Sequence, residues 1–520
     1  MQKIKISFFL LVTCVFNVVG FCQTITFTID PKKAVQTIDN IGASGAWYSE
    51  RIGKYWPDVK RDRLAELLFS KGFDSSGNPL GIGLSCFRFN IGGGTAEQGD
   101  SSGIRDKERR VECFLSTDGT YNWNKQQGYV SFVRKAVQYG VENLIAFSNT
   151  PPVQFTKNGL GFKLEKDYDA NLKDDKYGEY AAFLATVLEH FDKEGLHFSY
   201  VSPVNEPQWD WSNRFGQMNQ EGSPWGNKEI YRITASLDSA LRARRLSTKI
   251  LVPEAGILSS LYGGSGHSSH QIQSLYGVSS PYYIGHLETV MPVVAGHSYF
   301  TDTGDSTTIG VRSKLRDTAA KYGVQFWQSE YSMLGDGYKE GEKGRIAEMD
   351  CALFLSKVIY HDLAIANATA WQFWNSWEPG RPGFDVRYHL IVLKPNTTDA
   401  EAEFTISKNL WALGHYSRFI RPGMQRIATS RSDGLNDFKA ADDVMVSAFA
   451  NENNLVLVAV NYTSSSRDIA IQMAGRQKVK SIKQYVTTAR ADENMKLYPV
   501  ETMKRISLKP RSITTVVIER

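Results

Sequence analysis

From about residue 39 to residue 375, short apolar runs alternate with longer stretches of helical period, the pattern of strand–helix units around a parallel sheet. Eight runs stand out: residues 39–45, 84–92, 142–149, 198–206, 249–255, 292–300, 324–330 and 368–374. The stretches between them have one apolar face. Tyr180, Phe183, Leu184, Val187, Leu188 and Phe191 follow the i, i+3, i+4, i+7 rule, and similar stripes occupy 60–69, 129–139, 229–242, 309–320 and 349–363. Eight such units predict an α/β fold in which a (β/α)8 TIM barrel spans residues 39–400.

Past residue 400 the texture changes to short, alternating or β-branched segments separated by turn residues such as Asn453-Asn454 and Ser464-Ser465-Ser466. EAEFTI, DVMVSAFA, LVLVAVNYT, RDIAIQM, KSIKQYV, RISLKP and SITTVVIE read as the strands of a C-terminal β-module over 401–520. A further strand, QTITFTIDP within 23–38, precedes the barrel and is expected to pair with that module. The two modules would then form a discontinuous side β-sandwich. No long linker or repeat separates them, so rigid packing is expected.

The first residues carry Lys3 and Lys5, then an apolar run from Ile6 to Val19, then Gly20 and Cys22. That run is too short to span a bilayer and suits a cleaved secretory signal over 1–22, so a secreted or periplasmic location is expected. Thr13 before Cys14 and Phe21 before Cys22 are poor matches to the small residue expected ahead of a lipidated cysteine, so a surface lipoprotein is the less favoured alternative. No later stretch suggests a membrane span. Beyond the leader, Cys86, Cys113 and Cys351 are too few and odd in number for a disulfide framework; Cys86 and Cys351 read as packed thiols. A formal charge of +5 over 520 residues argues against nucleic acid as the partner. Aromatic residues make up 12% of the chain, with 11 Trp and 24 Tyr, enough to supply flat apolar platforms besides core packing.

A barrel of this kind carries reactive groups at the carboxyl ends of its strands. The ends of the eight runs offer Trp47, Arg88 with Asn90, Ser148 with Asn149, Asn205 with Glu206, Glu254, His297 with Tyr299, Glu330, and Trp371 with Trp374. Glu206 ends the fourth run and Glu330 the seventh, so the two carboxylates face each other across the barrel mouth. Such a pair suits cleavage of a glycosidic bond: one acid protonates the leaving oxygen while the other attacks or stabilises the anomeric carbon. Asn205 is placed to bond a hydroxyl beside that carbon. Arg88 is placed to hold Glu330 ionised, and Tyr299 to donate to the same carboxylate. Glu206 is then the acid and Glu330 the nucleophile. Glu254, on the neighbouring strand, reads as a supporting or substrate-contacting group. Trp47, Trp209, Trp211, Trp371 and Trp374 are candidate sugar platforms, with core packing as the competing role.

Other chemistries fit less well. His267 and His270 lie in a Gly/Ser-rich loop with no acidic third ligand at a diagnostic spacing, so no metal is expected. Gly92-Gly93-Gly94 lacks the Lys and Ser/Thr of a phosphate loop, and no G-x-S-x-G elbow occurs.

The strings GASGAW (42–47), FRFNIGGG (87–94), FSNTPP (147–152), SPVNEP (202–207), HSYF (297–300), WQSEYS (327–332) and GHYSRFIRPG (414–423) resemble, in order and spacing, glycoside hydrolase family 30 of the retaining (β/α)8 glycosidases. The resemblance runs from about Ile41 to the C-terminus. It implies a double displacement with Glu206 as acid/base and Glu330 as nucleophile, a side β-sandwich, no cofactor, and a β-linked polysaccharide or oligosaccharide as partner; separately, a monomer is expected. GIGLSCFRFNIGGG, DKERRVECFL and NQEGSPW look most like the endo-β-1,6-galactanase branch, which implies arabinogalactan side chains as substrate. One departure stands out: Gln154 and Phe155 follow Val153, where the family commonly continues into an aromatic and a methionine near the reacting sugar. Glucuronoxylan, β-1,6-glucan and β-fucosides stay open as substrates, as does exo action. A non-catalytic carbohydrate-binding protein on the same scaffold is the alternative of another class.

Overall fold

The computed structural model describes residues 24–334, 348–380, 385–395, 397–475 and 478–520; the expected leader, 1–22, lies outside them. Strand β1 (Ile25–Thr37) precedes eight parallel strands: β2 (Asn40–Ser44), β3 (Cys86–Asn90), β4 (Asn143–Phe147), β5 (Tyr200–Ser202), β6 (Lys249–Ala255), β7 (Val290–His297), β8 (Gln325–Tyr331) and β9 (Ala368–Phe373). These close into a barrel, with β9 returning to β2 in the register Ile41↔Trp371. Each strand falls on one of the eight apolar runs. The floor of the cylinder is filled by Cys86, Ile145, Leu251, Val293, Trp327 and Ala370. Trp327 meets Tyr200 edge-on at 4.8 Å, and its indole donates to Asp39 at 2.8 Å. The barrel is therefore a packed core, and only its upper rim is open to chemistry.

The helices cover the outside. In Tyr177–Lys193, the six residues of the predicted stripe are all buried. Helix Glu348–Ala364 is buried almost all round, because the barrel lies on one side and the β-module on the other.

After β9 the chain forms a small sheet of β10 (Trp377–Pro379), β11 (Ile391–Leu393) and β12 (Phe404–Ile406). EAEFTI is thus paired to Ile391–Leu393 beside the barrel. Helix Lys408–Ser417 then leads into β13 (Gln425–Arg431), β14 (Val444–Ala450), β15 (Asn454–Asn461), β16 (Arg467–Met473), β17 (Ser481–Thr487), β18 (Lys496–Pro499), β19 (Ile506–Leu508) and β20 (Ser512–Glu519). These join β1 in one nine-stranded arrangement, ordered β18-β17-β20-β15-β14-β13-β1-β16-β19 among the described residues. The strand before the barrel therefore lies inside the module, antiparallel to β13 and parallel to β16.

The segment 414–423 fastens the two parts. The Arg418 guanidinium donates to the carbonyls of Ser70, Gly81, Lys71 and Gly72, while His415 bridges Thr515 and Thr487 at 2.9 and 2.8 Å. Cys86, Cys113 and Cys351 are all buried.

Candidate active site

Glu330 belongs to β8 itself, whereas Glu206 lies four residues beyond the end of β5 in a turn with φ of 47°. A side chain in this left-handed region costs on the order of 1–3 kcal/mol, which the surroundings must supply. They do so through the Glu206 amide, which donates to the Glu254 carbonyl at 2.9 Å, and through Trp211, whose indole donates to the Glu206 carbonyl at 3.0 Å. The turn aims the carboxyl back over the barrel mouth. Carboxylate oxygens of Glu206 and Glu330 and a ring nitrogen of His297 all lie within 4.8 Å of one another.

Behind these two carboxyls is a buried charge network. Arg88 donates to Glu330 Oε2 at 2.7 Å, lies 3.8 Å from Glu254, and rests on the Phe147 ring at 4.3 Å. Tyr299 donates to Glu330 Oε1 at 3.1 Å. His297 reaches Glu206 Oε1 at 2.9 Å through Nδ1 and Glu254 Oε2 at 3.2 Å through Nε2, with Glu330 at 3.8 Å. Ser202, at 2.6 Å, and Ser329 donate to the remaining sites on Glu254.

The titration behaviour follows from these contacts. Burial alone would strip the proton from His297, but Glu330, Glu206 and Glu254 outweigh it and push the imidazolium up to about 10. Burial opposes charge on Glu254 too, yet Arg88 and His297 hold its carboxyl down at about 2. For Glu206 burial dominates and raises the carboxyl above its usual range; His297 pulls it down and Glu330 pushes it further up. With Glu206 protonated, the cluster carries two cations and two carboxylates and is neutral, which makes Glu206 the natural holder of the proton. In its doubly protonated form the ring donates to Glu206 from one nitrogen and to Glu254 from the other.

The open side is a cavity of about 470 Å3 lined by Trp47, Asn149, Asn205, Glu206, Trp211, Tyr299, Glu330 and Trp374 of the sequence-derived candidates. Trp47 meets Trp374 edge-on at 5.0 Å, and Asn205 donates to Asn149 at 3.1 Å. Trp209 stands outside the enclosed cavity, at the rim, packed on Gly256 and edge-on to the exposed Phe300 at 6.3 Å.

Four of the strand-end candidates do not meet the cavity, so a place among the substrate contacts is ruled out for them. Arg88, Glu254 and His297 have no exposed surface and do not line the cavity; Arg88 donates to Glu330, His297 contacts Glu206 and Glu254, and Glu254 accepts from Ser202 and Ser329, so they position and charge-balance the site instead of meeting a sugar. Trp371 is also fully buried. Along β9 Ala370 points into the barrel, so its neighbour Trp371 must point outward, where its indole donates to Asp362 at 2.9 Å. Gln154 likewise does not line the cavity: its amide donates to the Leu115 carbonyl at 3.2 Å.

Arg109, Gln220, Asn375 and Glu378 also line the cavity and escaped the strand-end reading: Arg109 and Gln220 lie in the long connections after β3 and β5, Asn375 two residues past β9 and Glu378 in β10. The signal for two of them was present: Arg109 lies in DKERRVECFL and Gln220 in NQEGSPW, and Arg109 donates to Gln220 at 3.2 Å. Arg109 also stacks on Trp47 at 4.3 Å.

A closed barrel whose mouth brings two carboxyls within reach of one bond defines an O-glycosyl hydrolase. The chain belongs to glycoside hydrolase family 30: the model for O-glycosyl hydrolase family 30 matches residues 24–381, and that for the glycosyl hydrolase family 30 beta sandwich domain matches 423–516. It is 21% identical over 416 residues to the glucuronoxylanase XynC of Bacillus subtilis, covering 77% of this chain and 78% of that one. A conserved exported protein from Bacteroides fragilis has a crystal structure similar at a TM-score of 0.88, with 31% identity over 95% of this chain and 100% of that one. The catalytic domain of a GH30 xylanase C from Talaromyces cellulolyticus shares the fold at a TM-score of 0.66 and 19% identity, covering 95% and 99% of the two chains.

Proposed function

We propose that the protein is an exported, monomeric endo-acting enzyme that cleaves β-1,6-linked galactan, of the kind found on arabinogalactan side chains, with retention of configuration. The observation that carries the mechanism is the separation of the two carboxyls, with oxygens of Glu206 and Glu330 within 4.8 Å. Retaining enzymes hold their carboxyls roughly 5–5.5 Å apart, whereas inversion needs roughly 6.5–9.5 Å to admit a water.

In this reading Glu330 attacks the anomeric carbon while Glu206 gives its proton to the departing oxygen, leaving a glycosyl ester on Glu330. The ester carries no charge, so one of the influences raising the Glu206 carboxyl disappears, and Glu206 then takes a proton from the water that hydrolyses the ester. His297 stays charged through both steps and stabilises Glu206 when it is ionised.

The galactan assignment is supported by the strings that resemble the galactanase branch, since Arg109 and Gln220 of those strings meet in the cavity wall. Export is supported by residues 1–22. A second reading, glucuronoxylan, is favoured by the similarity to XynC and by the presence of a cation, Arg109, in the cavity. The neighbouring Glu378, 3.4 Å from Arg109, weighs against a uronate there. Product analysis by mass and linkage on β-1,6-galactan, β-1,6-glucan and glucuronoxylan tests the proposal. A ladder of short galacto-oligosaccharides is expected; release from glucuronoxylan alone would transfer the assignment to the second reading. Binding without release from any of them would favour a carbohydrate-binding protein.

A further inference from the structure

Next to the catalytic cavity is a second one of about 310 Å3, within the size range of small-ligand sites. Trp47 belongs to both cavities. Arg109, stacked on Trp47, faces the catalytic side, while Lys107, Glu108 and Arg110 of the same loop face the other, so the Trp47–Arg109 pair forms the partition.

Two buried amides line this second cavity without their full set of partners. Both side-chain atoms of Asn90, at 0% exposure, and Oε1 of Gln126, at 1%, have no hydrogen-bond partner among the described residues. Gln126 uses its other atom to donate to the backbone carbonyl of Asn90 at 3.0 Å, which holds its side chain beside that residue. Such groups are costly to leave unpaired, and they offer both a donor and acceptors. The charged lining is balanced, with four cations and four carboxylates. Arg51 is paired to Glu108 and Asp399, and Lys54 to Glu50 and Glu112. A balanced wall with open amides and an indole suits a neutral polyhydroxyl ring, not an anion.

We propose that this cavity binds one neutral sugar unit joined to the glycan held in the catalytic cavity, either a side branch or the next unit of the backbone reaching over the Trp47–Arg109 partition. This rests on the glycosidase reading of Glu206 and Glu330, and deepens it by adding a subsite.

The test is calorimetry on the Glu330→Gln protein with linear β-1,6-galacto-oligosaccharides of increasing length and with the same oligosaccharides bearing one arabinose branch. One added unit should raise affinity about tenfold, the worth of one or two net hydrogen bonds. A rise on lengthening identifies a backbone unit; a rise on branching identifies a side chain. Ala96→Phe, which fills the cavity from its half-buried wall, should abolish that increment. Gln126→Leu, which removes the open acceptor without adding bulk, should reduce it, with melting curves confirming that both variants fold. The proposal is overturned if both variants fold and keep the increment, or if no unit produces one. If galacto-oligosaccharides do not bind, the galactan assignment fails separately, and linear and arabinose-substituted xylo- and β-1,6-gluco-oligosaccharides replace them. Absence of an Ala96→Phe effect in every series then rejects the subsite.

Discussion

Nδ1 of His297 lies 2.9 Å from Oε1 of Glu206, and the ring behind that contact has no exposed surface. A buried cation thus sits against the group read as the proton donor. The donor's affinity for its proton is set by the opposition of this cation to burial and to the charge on Glu330.

Replacing His297 by Gln removes the larger of the influences that lower the Glu206 carboxyl, Arg88 being the other, and leaves burial in place. The basic limb of the kcat/KM profile, which reports loss of the Glu206 proton, should move to higher pH. The rate should fall by about 10²-fold or more, as for impaired general acid–base catalysis. A basic limb that stays in place or moves down would detach His297 from the proton donor.

Glu206→Gln should slow cleavage of a polysaccharide by roughly 10²–10⁴-fold but spare the first step on an aryl glycoside with an acidic leaving group, which needs no proton. Burst kinetics on a dinitrophenyl glycoside check this. Equal losses on both substrates would argue that Glu206 has another role.

Arg88 is wholly buried between Glu254 and Glu330. Arg88→Leu leaves buried carboxylates without their cation and should cost about 3–5 kcal/mol of stability. Adding Glu330→Gln to Arg88→Leu should recover part of that loss, because one of the stranded charges is gone. Denaturant unfolding of the single and double variants gives the coupling; strict additivity would contradict the network.

Trp371 and Trp374 should separate in the laboratory as they do in space. Trp371→Ala empties a packed site and should destabilise by about 3–5 kcal/mol. Trp374→Ala should raise KM about tenfold, equivalent to roughly 1.4 kcal/mol, with little change in melting temperature. Steady-state kinetics alongside thermal melts distinguish the two, and a KM effect confined to Trp371 would restore it as a platform.

His415 couples the barrel to the β-module, and burial drives its pKa down to about 3. A histidine in the unfolded chain titrates near 6.5, so between pH 6.5 and 3 the unfolded state binds the extra proton. The stabilising contribution is therefore complete above about 6.5 and is lost as pH falls, by about 1.4 kcal/mol per pH unit. His415→Asn should show a shallower decline in melting temperature between pH 6.5 and 4 than the parent. Identical slopes would contradict the assignment.

The barrel was legible because its eight short, mostly buried runs recur between longer stretches of helical period. The contacts of Arg88 and Tyr299 with Glu330 followed from their places at strand ends. What was not legible depended on direction and on loops. Trp371 looked like a rim residue until the alternation along β9 turned it outward. Gln425–Arg431 was passed over because five of its seven residues are polar, yet it pairs with both β1 and β14. Glu206 was legible as the end of the fourth run, beside Asn205, but no periodicity indicates a turn with positive φ. The joining of His297 to both Glu206 and Glu254 depends on three separate strand ends converging, which only the closed barrel reveals.

In the proposed mechanism Glu206 and Glu330 stand close enough for the second to attack the sugar directly. Proton NMR of the first product released, recorded before mutarotation on whichever of the three β-linked polysaccharides is cleaved, tests it most directly. Two successive inversions give the β-anomer; the α-anomer would show that a water had attacked in place of Glu330.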